Sequence, residues 1–231
     1  YVIYEWFLYS SAFLEKSCLC WCDSVKIVLK INIAISESDK KICDQIVIDN
    51  HSYVASAKTV GRVIKYIIRY ENDVVGTFWL GSGFKPTPKS ILDYFNKSQS
   101  QFDEIFNSVA DNKRFCLIKS IPNLGSQVLK GIRNRAKQDW YDKYDDDLLA
   151  IVTTIGADKK GSVYLADNWE VIGQTAGLPK ERKSFSFKWD QGKEHLKTET
   201  GWVDGKDRKR IFITSKLKDK ILRPTLDGFF T

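Results

Sequence analysis

Tyr164, Asp158, His51 and Tyr53 are the side chains of this sequence whose types and settings could move protons. Tyr164 stands inside a short helical stretch, GSVYLADNW, that follows the apolar run LLAIVTTI. A core helix would carry Leu or Ile there, so a phenol at that place points to a pocket, or else is an ordinary half-buried core tyrosine. Asp158 lies just ahead of the stretch, either as a base for a weakly nucleophilic amine or as a helix cap across Gly161. His51 and Tyr53 fall just beyond the last turn of an earlier helix. His51 is there a structural hydrogen-bonder, a base or, with Tyr53 and Asp158, a metal ligand; the spacing gives a metal such as iron no support. A second chemistry belongs to Pro122-Asn123-Leu124-Gly125-Ser126, a tight loop before a long helix. Unpaired N–H groups and the positive dipole end at a helix start attract anions. Asn123 or Ser126 can cap that helix and Gly125 lets backbone approach, but the same residues would also make a turn that binds nothing.

A mixed set of strands and helices is expected to position these groups. VKIVLKINIAIS (25–36) reads as a strand, and Ser36 with Asp39 opens a helix that Asn50-His51 ends. Residues 61–83 form a hairpin around Glu71-Asn72-Asp73. Residues 84–112 begin as a Pro-broken loop and continue as one or two amphipathic helices. Then come a strand (113–121), a helix (126–144), a buried strand (148–155), a short helix (161–168) and a strand (169–175). Gly131 inside the long helix costs roughly 1 kcal/mol against Ala, which close packing on a neighbour would justify. Two or three strand-like pieces follow in 184–214, joined by Gln191-Gly192 and Asp204-Gly205. The expected division is an N-terminal extension (1–24), a core (25–177) and a basic β-rich extension packed on it (178–231).

The net charge is +7, and residues 178–231 carry fourteen Lys and Arg against eight Asp and Glu. Cationic charge concentrated there fits a polyanion, nucleic acid above all, or simply a solvated basic surface. Lys180, Arg182, Lys183, Lys206, Arg208, Lys209 and Arg210 are the expected phosphate contacts. Trp79, Trp169 and Phe84 are either core residues or stacking surfaces for a base flipped out of a duplex. Five cysteines, an odd number, suit a reducing compartment. Cys18, Cys20 and Cys22 sit two apart, which is not a zinc-finger spacing. The apolar region 1–22 is broken by Glu5 and by Glu15-Lys16, too often for a membrane span, and lacks the basic start of a signal peptide. A soluble, cytoplasmic protein is expected. The sequence begins at Tyr1 and holds no methionine, so residues are expected to be missing from it.

The order from 113 to 175, preceded by a strand, a helix and a hairpin, resembles the GNAT family of acyl-CoA N-acyltransferases. The resemblance implies an α+β fold with a mixed central sheet flanked by helices. It implies acetyl-CoA or a related acyl-CoA as cofactor, held by Asn123, Leu124, Gly125, Ser126 and Gln127 with Asn168. The usual loop pattern has two small residues, Gly-x-Gly/Ala, and this chain has one glycine. The resemblance also implies that Tyr164 protonates a departing thiolate. A phenol of pKa about 10 is a poor acid in water, but beside a thiolate whose own pKa is about 8.5 it is a competent donor.

Two narrower resemblances refine this. His51-Ser52-Tyr53, Val75-Gly76-Thr77-Phe78 and the stretch Ala157 to Gly173 look like the Mom family of phage DNA-modification proteins. That implies transfer of a methylcarbamoyl group to N6 of adenine in double-stranded DNA, protecting it from restriction, with His51, Tyr53, Asp158 and Tyr164 lining the active site. Asn112-Lys113-Arg114-Phe115, the 122–126 loop, Trp140, Tyr144, Tyr164–Gly177 and Arg208–Ile213 resemble the DruA family of the Druantia anti-phage system. That implies a DNA-binding defence component, which the single-glycine loop favours. An N-acetyltransferase for a small amine or a protein is the third expectation. The implied setting is a bacterial or phage-infected cell.

Overall fold

The computed structural model describes residues 29–51, 56–83, 85–156, 158–175 and 208–218. Strand alternation and helical periodicity resolve into thirteen elements. The first half holds β1 (Leu29–Ile33), α1 (Glu37–Asn50), β2 (Val63–Tyr70), β3 (Asp73–Ser82), α2 (Lys89–Phe95), α3 (Gln99–Glu104) and a 3-10 turn (Phe106–Ser108). The second holds β4 (Val109–Leu117), α4 (Leu124–Tyr144), β5 (Ala150–Ile155), α5 (Ser162–Ala166), β6 (Glu170–Gln174) and β7 (Arg210–Thr214). The strands form one seven-stranded sheet in the order β1-β2-β3-β4-β5-β7-β6. Every neighbouring pair is antiparallel except β4–β5. The fold is α+β, a mixed sheet flanked by helices, as expected.

Period-two alternation sends each strand's apolar residues to both faces. On one face Ile64, Tyr66, Ile68, Phe78, Leu80, Ile151 and Phe212 pack with Val128, Leu129, Ile132, Ala136 and Trp140 of α4. On the other, Ile67 and Trp79 pack with Cys43 and Val47 of α1. Val109, Ala150, Val152, Ile211 and Ile213 pack there with Ile91 of α2 and Phe102 of α3. The Ser36 hydroxyl caps α1 by accepting from the Asp39 N–H at 3.1 Å. Gly131 of α4 faces the Ile31 side chain so closely that a Cβ would overlap it, which is the packing reason expected for a glycine in mid-helix.

Three boundaries differ from expectation. Residues 109–112, expected at the end of a helix, begin β4, because they pair with β3 on one side and β5 on the other. The long helix starts at Leu124 rather than 126. Residues 210–214, expected within a β extension laid on the core, form β7 between β5 and β6 of the central sheet. The segment 1–24 and the expected hairpin turns at 191–192 and 204–205 lie outside the described residues.

Candidate active site at the β4–β5 fork

The one parallel pair in the sheet is short. β4 and β5 pair only through Val109↔Ala150, Ala110↔Ile151 and Asp111↔Val152. Beyond Asp111, β4 follows β3, while β5 beyond Val152 follows β7. A bulge marks the parting: Leu80 faces Asn112 and Trp79 faces Arg114, so Lys113 is the extra residue. A bulge bends its strand and adds twist, and it shifts side-chain parity by one. Ala110 faces α4 before it, and Phe115 and Leu117 face α4 after it. The result is a fork with a cavity of about 160 Å³ between its arms, lined by Asp111, Asn112, Lys113, Thr153, Tyr164 and Lys209 among others. A second, larger cavity of about 360 Å³ opens beside it, against Lys159, Ser162 and Val163. His51, Phe115, Ile155 and Tyr164 line both.

Tyr164 is held by α5, whose N-cap is Gly161. That glycine has φ +69°, and a Cβ on it would meet Ile155 Cδ1 at 2.5 Å and Phe212 Cζ at 2.6 Å. The Tyr164 ring packs edge-on to Trp169 and Phe115. Its hydroxyl accepts a hydrogen bond from Asn112 Nδ2 at 2.9 Å. That contact uses an oxygen lone pair and leaves the phenolic proton out of it. The α5 helix is fixed to α4 by a buried ion pair. Arg133 Nε and Nη2 donate to the two Asp167 oxygens at 2.7 and 2.6 Å, and Trp169 Nε1 donates to Asp167 Oδ2 at 2.9 Å.

His51 is the C-cap of α1, its N–H bonded to the Val47 carbonyl at 3.1 Å. Burial, then Arg114 and Lys209, hold its imidazole pKa below the usual value. Tyr53 lies outside the described residues. Asp158 is exposed and is not among the residues lining either cavity. Its carboxylate lies over Gly156, and it does not cap α5, whose N-cap is Gly161 with no side-chain cap hydrogen bond. The capping role considered for Asp158 is thus excluded.

The 122–126 loop abuts this site from the α4 side. A Cβ on Gly125 would overlap Val163, the residue before Tyr164 and part of the larger cavity's wall. Asn123 takes a left-handed φ of 59° and caps nothing with its side chain. The Ser126 hydroxyl donates to the Asn123 carbonyl at 3.0 Å instead of accepting from an amide. The expectation that either side chain caps α4 is therefore corrected, and the first-turn amides are left without a side-chain acceptor. Asn123, Leu124, Ser126, Gln127 and Asn168 do not line the cavities; Asn168 lies past α5 with φ 59°.

Trp79 and Trp169 are 0% and 3% exposed and belong to the core, which removes them as stacking surfaces. Phe84 is outside the described residues. Of the expected phosphate contacts, Lys209 lines the fork and Arg210 lies over the Phe212 ring. Arg208 is half-buried, and Lys180, Arg182, Lys183 and Lys206 are outside the described residues. Among the described residues no cluster of His, Cys, Asp or Glu is placed to hold a metal ion, and no helix is long and apolar enough to cross a membrane.

Asp111 is the buried titratable residue of the fork that sequence reasoning did not single out. It is 8% exposed, and its Oδ1 meets no hydrogen-bond donor among the described residues. Burial pushes its carboxyl pKa up to about 6, against the opposing pull of Lys113, Arg114 and Lys209. No local signal marks it, since VADNKRFC lacks strand alternation and Asp111 sits where β4 pairs with both β3 and β5.

No protein-family model matches the chain, and no curated protein matches it. Solved structures similar to it include a GNAT-family acetyltransferase from Bacillus cereus, with 16% identity and a TM-score of 0.44 over 82% of this chain and 99% of that one. A GNAT-family acetyltransferase from Elizabethkingia anophelis with acetyl-CoA bound has 12% identity and a TM-score of 0.40, over 81% and 97%. FeeM, an N-acyl amino acid synthase from uncultured soil microbes, has 8% identity and a TM-score of 0.47, over 84% and 93%.

Proposed function

We propose that this protein is an N-acyltransferase that moves an acyl group from a coenzyme A thioester to an amine, and that the amine is N6 of adenine in DNA. The observation that carries it is the fork itself. Two parallel strands part beside a phenol whose oxygen is already hydrogen-bonded by Asn112, next to a helix start with no side-chain cap. A thioester lying between the strand arms would find unpaired backbone groups there. Its pyrophosphate would find the α4 amides of Gly125 and Ser126 and the helix dipole. The thiolate would leave beside the Tyr164 proton. The DNA part of the proposal is supported by the net charge of +7 and by Lys209, Lys113 and Arg114 around the cavity. Transfer to adenine would be of the methylcarbamoyl type that the Mom resemblance implies.

The test is to digest DNA from cells expressing the protein and weigh the nucleosides. A modified deoxyadenosine is the expected result. Unmodified deoxyadenosine from abundant protein, with acyl transfer to peptides or polyamines instead, would replace the DNA acceptor with those amines.

A further inference from the structure

We infer that a cavity distinct from both at the fork, on the face of the sheet away from α4, binds a phosphomonoester. Its ligand is a small molecule that carries a terminal phosphate on an apolar body. The site does not depend on the acyl-transfer reading above.

The cavity measures about 550 Å³, more than either cavity at the fork. Its lining includes Lys58, Lys85, Lys113 and Arg114 and, among the described residues, no carboxylate. Two neighbours fix its place in the fold. Phe106, in its wall, packs with the α2–α3 cluster, and Ala57, beside Lys58, packs with the α1 cluster. Both clusters lie on the face opposite α4.

The four cations come from three segments. Lys58 belongs to the approach to β2, Lys85 stands just past β3, and Lys113 and Arg114 are in β4. Cations strung along one element would track a polymer backbone, whereas cations brought round a recess suit one compact anion. Lys85 Nζ lies 3.0 Å from Asp103 Oδ1, but that pair is about half-exposed and holds its charges loosely. Lys113 Nζ is 3.5 Å from Asp111 Oδ2. Lys58 is exposed and has no ion-pair partner among the described residues.

Charge and shape then select the ligand. A phosphomonoester carries close to two negative charges at neutral pH and a diester only one, so four surrounding cations favour the monoester. Val60 is 63% exposed and Phe106 is half-buried, and together they offer an apolar wall for the organic part. Lys85 Nζ stands 4.6 Å from the centre of the Phe106 ring, which keeps a cation at the edge of that wall.

Calorimetry on the whole chain tests the site, with phenyl phosphate as the probe and methyl phenyl phosphate as the diester control. The monoester should bind about tenfold more tightly than the diester, and saturating coenzyme A should not displace it. Replacing two lysines together, Lys58→Ala with Lys85→Ala, should weaken it about tenfold or more. Lys30→Ala, which removes an exposed cation of β1 outside the cavity, should leave it unchanged. No binding of phenyl phosphate, or equal affinity for the two esters, overturns the site and needs no variant. An equal loss in Lys30→Ala overturns it as a general charge effect, and displacement by coenzyme A overturns it as part of the thioester's own site. A short DNA duplex that displaces the probe and is itself lost with the same two lysines would assign these cations to a nucleic-acid backbone instead.

Discussion

Tyr164 joins packing and proposed chemistry in one side chain, and a single substitution separates them. Phe at 164 keeps the ring among Phe115, Trp169 and Phe212 but removes the hydroxyl and leaves Asn112 Nδ2 without its partner. The loss of that bond should cost about 1–2 kcal/mol in a denaturant melt. If the phenol protonates the leaving sulfur, kcat should fall by about 10²–10⁴ with acyl-CoA affinity unchanged in a binding titration. Asp111 makes a pH prediction whose sign follows from its raised pKa. The native state binds this proton more tightly than the unfolded chain, so stability falls as pH rises from the ordinary carboxylate value to about 6. Asp111→Asn cannot ionise. It should melt higher than the unaltered protein above pH 6 by no more than about 3 kcal/mol, a gap that closes near pH 4. Only the first of these residues could be singled out from the letters. A tyrosine in a short helix is conspicuous, whereas Asp111 is buried at a position that pairs with Gly81 of β3 and Val152 of β5, which no local pattern announces.

At the level of elements, α5 is too short to hold itself in place, and its position is set by its neighbours. Arg133 and Asp167 are 15% and 3% exposed in their side chains, so this pair is desolvated. Asp167→Ala leaves the guanidinium without its carboxylate and should cost about 3–5 kcal/mol in urea melts. Gly125→Ala forces α4 and α5 apart at Val163. We expect about 1–3 kcal/mol of destabilisation and weaker acyl-CoA binding, both measurable on one preparation. Most elements could be read in advance because their signals are local, such as the Ser36 cap or the period of Val128, Ile132, Ala136 and Trp140. The start of β4 could not, since Val109-Ala110-Asp111-Asn112 becomes a strand only by pairing between β3 and β5. The α4 cap was misjudged for a related reason. Asn123 took a left-handed turn and Ser126 bonded a carbonyl, choices that short polar side chains always have.

Over the whole molecule, charge is the property with the clearest consequence. If this chain of net charge +7 holds DNA through phosphates, as proposed, counterions are released on binding. Raising salt from about 50 to 200 mM should weaken duplex binding about 10³-fold if roughly six phosphates are contacted, as read by fluorescence anisotropy. A flat salt profile would remove DNA as the acceptor. The asymmetry of charge was plain in the sequence, but the place of the basic segment was not. Nothing local in Arg210–Thr214 says that it enters the sheet between two earlier strands.

That insertion bears on how the chain is made. β5 and β6 are synthesised with no partner between them, and they wait for β7 while the whole stretch 175–209 emerges from the ribosome. During that interval both carry bare hydrogen-bonding edges of the kind that recruit other nascent chains. A stop codon anywhere in that stretch should therefore yield aggregate rather than a shortened soluble chain, and slow translation across it would raise the demand for chaperones.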